Sequence, residues 1–322
     1  ITVGDNPNEM LITNTHLFVC NANDNSVSII DIAKNKVVEI LDAALYPNAP
    51  SGSTTNSLAI DKKNNRLFIA NADNNCLAVF DIAKIGNSKS VGFIPTGWYP
   101  TSVRFLNNKI WVANGKGFTP KANPFGPSPV RKKGEVIHHM GITKTASSEQ
   151  YIGALFTGTM SIITNPTALE LTNYTKTVYK NTPYTAAKLT QADSIEAGNP
   201  IPSKVGQPSP IKYVFYIIKE NRTYDQVLAD MPGGNGDTSL LLFGKNITPN
   251  QHAIASNFVL LDNFYVDSEV SADGHNWSMG AYANDYLEKT WPTSYSGRGG
   301  TYGGEGEREI ANNKNGFIWN NC

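Results

Sequence analysis

The sequence lacks the features that mark several protein classes. It contains no run of about 18 apolar residues, which excludes a membrane-spanning helix. Its first residues lack the charged start and apolar stretch of a secretion signal, so we expect any such signal to have been removed. It has only three cysteines, whose spacing matches no zinc motif and whose odd number cannot pair completely. Lys plus Arg equals Asp plus Glu at 27 each, so no nucleic-acid partner is expected.

The chain does have the size and composition of a globular protein. Its 322 residues suffice for two domains on the usual range of about 100 to 200 residues each. The hydrophobic content of 40% supports packed cores rather than disorder.

The first third of the chain repeats itself. Leu17–Asn23 (LFVCNAN) matches Leu67–Asp73 (LFIANAD) fifty residues later, and Ile110–Gly115 (IWVANG) matches both. The first two copies continue alike into Ser26–Lys34 and Cys76–Lys84, where β-branched and aromatic residues alternate with Asn/Asp turns. A repeat of about 40 to 50 residues built from short strands predicts propeller blades, which neighbouring blades must cover.

The strand endings FVCN, FIAN and WVAN resemble the YVTN-type β-propeller repeat family over roughly residues 1–118. The resemblance implies a secreted protein or a bacterial envelope or surface-layer protein, whose propeller binds a glycan or protein ligand. We predict a further blade around Tyr151–Thr164, and because propellers need at least about four blades, we expect the ring to be incomplete here.

Three segments after the repeats carry weaker signals. Residues 115–134 are rich in Pro, Gly and Lys and predict a solvated loop inserted in a blade. His138 and His139 are adjacent on a predicted strand, so they point to opposite faces and cannot chelate one ion by themselves. Residues 181–210 predict an interdomain linker with a short helix near 184–189.

A second domain is predicted after the linker. Residues 213–218 (YVFYII) have the pattern of a buried strand, and the polar run 219–225 follows at its carboxyl end, with a helix starting near Thr223. Ligand groups gather at such strand ends in α/β sheets, where Glu220 and Asn221 offer oxygen ligands for a hard cation. The same two residues also suit the cap of the following helix.

The stretch ENRTYD, Glu220–Asp225, resembles the signature of the phosphoesterase family that includes bacterial phospholipases C and acid phosphatases, within the alkaline phosphatase superfamily. The similarity continues through 233–237, 248–255 and 258–265. It implies hydrolysis of a phosphate ester with a divalent ion, Zn²⁺, Mg²⁺, Ca²⁺ or Mn²⁺, held in part by Glu220 and Asn221.

The local pattern of this region predicts strand and helix in alternation. Thr248 reads as an N-cap before Pro249, which predicts a helix to about Asn257 and a strand over 258–261. Such an order suits a parallel sheet. A further helical pattern includes Met279, Tyr282, Ala283, Tyr286 and Leu287, which places Ser271 just before a helix.

Ser271 is the candidate nucleophile. A helix N-terminus stabilises a phosphoryl anion, and a nearby divalent ion lowers the pKa of a serine hydroxyl. Ser271 or Asp273 also suits an ordinary helix cap, and Ser268 is an alternative nucleophile. Many members of the resembled family have Thr-His-Pro-Asn where this chain has SADGHN, so the supporting or phosphate-binding roles of Asp273, His275 and Asn276 depend on the register.

Together these patterns predict a multidomain protein. Residues 1–180 are assigned to partial all-β propeller blades, 181–210 to a linker, and 211–322 to the N-terminal portion of an α/β alkaline phosphatase-like domain. The superfamily completes its metal site with Asp and His far downstream, and no such motif follows Trp291, so we expect a fragment that is inactive alone. Two functions follow: a metal-dependent phosphoesterase with the propeller as binding module, or a non-catalytic envelope scaffold with a degenerate phosphoesterase domain.

Overall fold

The computed structural model describes residues 1–120, 123–128, 131–147, 150–192, 194–299, 302–304 and 306–322. The described chain forms two compact units. The first consists of Ile1–Thr119, Phe156–Pro210 and Ser268–Cys322, and the second of Pro120–Leu155 and Ile211–Asp267. The sequence-derived domain boundaries stay a prediction.

Two four-stranded antiparallel sheets open the first unit. The strands of the first sheet are β1 (Pro7–Ile12), β2 (His16–Asn21), β3 (Ser26–Asp31) and β4 (Lys36–Asp42). Those of the second are β5 (Thr55–Asp61), β6 (Arg66–Asn71), β7 (Cys76–Asp81) and β8 (Lys89–Pro95). Each sheet is a meander in which consecutive strands pair, in the orders β1-β2-β3-β4 and β5-β6-β7-β8. This is the architecture of propeller blades, so the prediction from the repeats is confirmed.

The third sheet is a blade interrupted by an insertion. Its strands are β9 (Pro100–Leu106), β10 (Lys109–Asn114) and β13 (Thr159–Thr164), in the order β13-β10-β9. The prediction of a separate blade around Tyr151–Thr164 was wrong, because Thr159–Thr164 pairs with β10 along its whole length. The chain therefore leaves this blade after Asn114 and returns to it at Thr159, as expected for an inserted loop. Residues 121, 122, 129, 130, 148 and 149 of this stretch lie outside the described part.

The core of the first unit lies between neighbouring blades. Side chains that alternate along a strand point to opposite faces of the sheet. In β6, Leu67 and Ile69 join a cluster with Phe18 and Ile29 of the first sheet, whereas Phe68 and Ala70 join a second cluster with residues of the third sheet, among them Val103, Ile110 and Val112. The middle blade is thus buried on both faces.

The asparagine that ends each repeat motif is buried and hydrogen-bonded. Asn21 donates from Nδ2 to the hydroxyls of Ser26 and Ser28 at 3.0 Å, tying β2 to β3. Asn71 donates to the Ala43 carbonyl at 2.7 Å, and Asn114 to Ser161 Oγ at 3.0 Å. Buried polar groups are normally hydrogen-bonded. The asparagine of the repeat motif is therefore a structural requirement of the blade.

A 14-residue helix, α1 (Ala168–Asn181), follows the third sheet and packs against β8. Thr167 and Glu170 form a capping box at its start. Leu171 and Val178 are buried in the two inter-blade clusters. Thr175 Oγ1 accepts a hydrogen bond from Phe93 N at 2.8 Å, so the helix supplies a partner for the backbone of β8.

The second unit contains little regular structure. It has a two-stranded hairpin, β11 (Val136–His139) with β12 (Ile142–Thr145), and two helices, α2 (Tyr224–Leu228) and α3 (Pro249–Asn257). The predicted helix starts are confirmed, since Thr223 caps α2 with a capping box and Thr248 and Pro249 open α3.

The strands predicted over 213–218 and 258–261 do not form, so those two predictions were wrong for this structure. Phe215 and Phe258 are exposed. High β-propensity reflects packing against neighbours rather than an intrinsic backbone preference, and parallel strands require cover on both faces. Among the described residues of this unit, the two short helices are too small to bury both faces of such strands.

The last part of the first unit is helical. It contains α4 (Ser271–Gly280), α5 (Asp285–Ser294) and α6 (Ile318–Asn321). The helical pattern that spans Met279 to Leu287 in the sequence is split between α4 and α5, because Ala281 adopts a left-handed conformation with φ of 65° and ends α4. Ala283 and Leu287 are buried in a small cluster with Ala311.

Phe68 tests the inter-blade core. Its side chain is fully buried and stacks on Phe105 with ring centroids 5.7 Å apart. We expect Phe68→Ala to lower the free energy of unfolding by about 3–5 kcal/mol, because it opens a cavity between two blades. Chemical denaturation measures the change. Phe118→Ala is the matched control: that ring is 94% exposed, and a comparable loss in the control would contradict the assignment of the core.

The three cysteines should differ in reactivity. Cys20 and Cys76 are buried and Cys322 is exposed, and all three are free thiols. Burial raises the pKa of the Cys76 thiol to about 12, and it also raises that of Cys20. Because the thiolate is the reactive form, we expect a disulfide reagent to label one thiol in the native protein and three after denaturation. Rapid labelling of all three in the native state would contradict this burial.

Candidate functional site

Ser271 lies at the start of α4 and is exposed. Val270 occupies the N-cap position without a side-chain cap bond, so the alternative interpretation of Ser271 or Asp273 as the cap was wrong. The first hydrogen bond of the helix runs from Gly274 N to Val270 O at 3.1 Å, and the N–H groups before it point out of the helix end. The hydroxyl thus sits beside backbone donors and a partial positive charge.

Ser268, the alternative nucleophile, is in a different environment. Its side chain is buried and its hydroxyl donates a hydrogen bond to the carbonyl of Val270 at 2.9 Å. The structure therefore favours Ser271 as the accessible hydroxyl of the two.

Asp273 is fully buried in the first unit. Neither of its carboxylate oxygens accepts a hydrogen bond from a described residue. Burial and, to a smaller extent, the charge of Glu269 raise the pKa of this carboxyl to about 7, against the opposing effect of Lys116. Residues two apart on a helix do not share a face, so Asp273 points away from the side that exposes Ser271.

Glu269 and Lys116 form a largely buried ion pair. Lys116 Nζ lies 2.8 Å from Glu269 Oε1, and the two side chains are 12% and 15% exposed. The ammonium also lies over the rings of Trp98 and Tyr99, 5.5 and 5.0 Å from their centroids. Lys116 follows β10, whereas Glu269 precedes α4, so the pair joins the third blade to the helical segment.

Glu288 on α5 is the third carboxyl of this region. The pKa of Glu288 is raised to about 8, chiefly by burial. Lys116 opposes the rise, whereas the charges of Asp73, Glu269 and Asp273 add to it. Sequence patterns did not indicate this residue. The four side chains Lys116, Glu269, Asp273 and Glu288 are called the acidic cluster below.

His275 and Asn276, the other predicted supporting residues, also lie on α4. Asn276 is buried and donates from Nδ2 to the Ala272 carbonyl at 3.0 Å, which is a bond within the helix. His275 is partly exposed. Their roles, like that of Asp273, stay predictions.

Glu220 and Asn221 belong to the second unit, and both are exposed. They precede α2, whose cap is Thr223, so neither residue caps that helix. Their carboxylate and amide oxygens suit a hard cation, but such ions take about six or more oxygen ligands. Among the described residues, no group of three or more His, Cys, Asp and Glu side chains is placed to hold a metal ion. The two donors alone do not make a complete site.

The second unit also contains a histidine–aspartate pair that sequence analysis missed. His252 Nε2 lies 2.7 Å from Asp230 Oδ1, and Nδ1 lies 2.8 Å from the Thr248 carbonyl. The hydrogen bond from His252 lowers the pKa of Asp230. Only the i, i+4 spacing of Thr248 and His252 was visible in the sequence, because Asp230 is distant along the chain. The pair fastens α3 to the end of α2.

Comparison with known proteins gives partial matches. No family model matches the chain, and no curated protein does. One solved structure that matches is Kuenenia stuttgartiensis hydrazine synthase, with 19% identity over 36% of this chain and 32% of that chain and a TM-score of 0.29. Another is a Lactobacillus plantarum protein, with 15% identity over 36% of each chain and a TM-score of 0.32. A third is the β-propeller domain of Myceliophteria thermophila Cps50 (Swd1), with 13% identity over 35% of this chain and 34% of that chain and a TM-score of 0.28. This chain spans about a third of each structure's length.

The propeller assignment therefore depends on the blades themselves, and a phosphoesterase fold stays a prediction. Within the described ranges, no helix has the length and apolar character needed to cross a membrane.

Lys116 tests the energetics of the acidic cluster. We expect Lys116→Met to lower the free energy of unfolding by about 3–5 kcal/mol, because it leaves Glu269 charged and unpaired in a largely buried place. Thermal or chemical denaturation at pH 7 measures the loss. The control is Lys34→Met, which removes a lysine that is 63% exposed in its pair with Asp31 and should have a clearly smaller effect. Equal effects of the two substitutions would contradict the importance of burial.

Proposed function

We propose that the chain is part of a metal-dependent hydrolase of phosphate esters, with the propeller blades as its binding and scaffold module. Ser271 is the nucleophile, and Glu220 and Asn221 contribute oxygen ligands to a divalent cation in the intact protein. The proposal combines the ENRTYD motif with one structural observation, the exposed Ser271 hydroxyl at the start of a ten-residue helix.

The helix start gives the reaction its chemical basis. The Ser271 hydroxyl loses its proton to solvent as its oxygen attacks phosphorus, and the ester oxygen leaves and takes up a proton from solvent as an alcohol. Water then hydrolyses the phosphoserine to free phosphate and restores the hydroxyl. Unpaired N–H groups at the start of α4 bind the phosphoryl oxygens, whose negative charge the helix dipole also favours. A divalent cation, when bound, would supply Lewis-acid chemistry for the hydrolysis of a phosphate ester.

The test is an assay of phosphomonoesterase and phosphodiesterase activity on the intact protein, with Zn²⁺, Mg²⁺, Ca²⁺ and Mn²⁺ supplied in turn. We expect Ser271→Ala to lower kcat by roughly a thousandfold or more, since removal of a nucleophile has effects of that size. Ser278→Ala, an exposed serine on the same helix, should leave kcat unchanged. Full activity of the Ser271→Ala protein rejects this nucleophile.

Glu220→Gln provides an independent test of the cation ligands. We expect it to raise the metal concentration that gives half-maximal activity by about 10- to 100-fold, because a neutral amide is a weaker ligand than a carboxylate for a hard cation. A metal titration of activity measures the shift. Glu196→Gln, an exposed acid in the first unit, is the control. An unchanged metal requirement in Glu220→Gln contradicts the ligand assignment.

The second candidate is a non-catalytic envelope or surface-layer scaffold, with a glycan or protein as the propeller's ligand. The propeller-like blades support it, because such blades serve as scaffolds in many unrelated proteins. Absence of phosphoesterase activity in the intact protein with all four metals favours this candidate.

A further inference from the structure

The acidic cluster contains three carboxyl groups and one ammonium group, and one of the carboxyls, Asp273, is fully buried. Glu269, Asp273 and Glu288 all belong to the segment 268–299, and Lys116 on the blade side is the cation that acts on all three. Lys116 pairs directly with Glu269. The carboxylate oxygens of Asp273 and Oε2 of Glu269 are buried and accept no hydrogen bond from the described residues. Ionised carboxylates are costly in such surroundings.

The neighbouring charges do not correct this imbalance. Asp73, in the turn between β6 and β7, adds a further acid near Glu288. On α5, Asp285 accepts hydrogen bonds from Asn6 and Asn8 at 3.0 Å each and pairs with Lys289 at 3.0 Å, so the charge of Lys289 is already matched. Tyr99 packs against Lys116 as a neutral phenol, because burial raises its pKa well above the ordinary value. Protonation of the carboxyls is the simplest way to remove the excess negative charge.

We propose that protons control the docking of segment 268–299 on the blades: the segment is docked while Asp273 and Glu288 are protonated, and it is released when both are ionised beside Lys116. The inference concerns docking and does not depend on the chemistry proposed for Ser271. If that chemistry holds, docking also fixes the position of Ser271, which lies two residues from Glu269 and two from Asp273.

The direction of the pH dependence follows from the two carboxyls. Burial raises the pKa of Asp273 from 3.8 to about 7 and that of Glu288 from 4.5 to about 8 in the docked state. A carboxyl whose pKa is raised in the docked state binds its proton more tightly there. Its contribution to the stability of docking is therefore fully present below the pKa of the undocked group. That contribution falls as the pH rises towards the raised value and is constant above it. Docking should therefore weaken between about pH 4 and pH 8.

Hydrogen exchange of the whole chain at several pH values tests the proposal. After correction for the intrinsic exchange rate, we expect protection of the α4 and α5 amides to fall at least about tenfold between pH 5 and pH 7.5, since each titrating carboxyl changes the equilibrium by about tenfold per pH unit. Protection of β6 and β7 should stay constant. A flat profile for α4 and α5 overturns the proposal.

Amide substitutions identify the groups responsible. We expect Asp273→Asn with Glu288→Gln to abolish the pH dependence, because both amides imitate the protonated state, and Glu288→Gln alone to reduce its slope. Glu309→Gln, an exposed acid in the same part of the chain, is the control and should behave as the wild type. An unchanged pH profile in the double variant contradicts the assignment. If the double variant fails to fold, the slope of the single variant decides.

A bound cation is the competing explanation, and it makes a different prediction. Addition of Mg²⁺ or Ca²⁺ at pH 8 would then restore the protection seen at pH 5, and the double variant would lose that response. This outcome would overturn proton control in favour of a cation site. No effect of either metal at pH 8, together with a sloping profile in the wild type, supports the proposal.

Discussion

The structure of the first unit depends on one constraint: a four-stranded blade has two apolar faces and cannot bury both by itself. In β6 and β7, alternate residues serve the two sides, with Leu67 and Ile69 facing one neighbouring blade and Phe68 and Ala70 the other. The inter-blade contacts are therefore the core, and each blade is stable only beside another. The buried asparagines at the strand ends fix the pairing within and between blades.

This constraint explains why part of the fold could be predicted from the sequence. The repeat preserves the alternation of apolar residues and the terminal asparagine, which are local features with a fixed period. A loop inserted in a blade was predicted from its Pro-rich composition, but the return of the chain to the same blade was not, because the pairing of Ile110 with Ile163 spans a stretch with no repeat signal. The strands expected over 213–218 and 258–261 failed for a related reason: their composition indicates burial, but burial requires cover that local sequence does not specify.

The candidate site likewise contains residues that the sequence predicted and residues that only the folded structure brings together. Ser271 and the helix that follows it were predicted from a local pattern, and the structure adds that the hydroxyl is exposed while Ser268 is not. The acidic cluster was not predicted as a cluster, because Lys116 lies more than 150 residues from the three carboxyls it serves. Glu288 in particular has no motif around it. What makes these residues notable is their burial and mutual charge, which are properties of the folded chain.

Helix α1 has a consequence for assembly. The outermost strand of a sheet presents backbone groups that can pair with a strand of another molecule, which is a common origin of aggregation. Here the backbone N–H of Phe93 donates a hydrogen bond to Thr175 Oγ1 of the helix. Leu171 packs against Gly92, and the helix can approach closely because this residue has no side chain and adopts a φ of 141°. The second sheet is thus shielded at β8, and intermolecular strand addition there would first require the helix to detach.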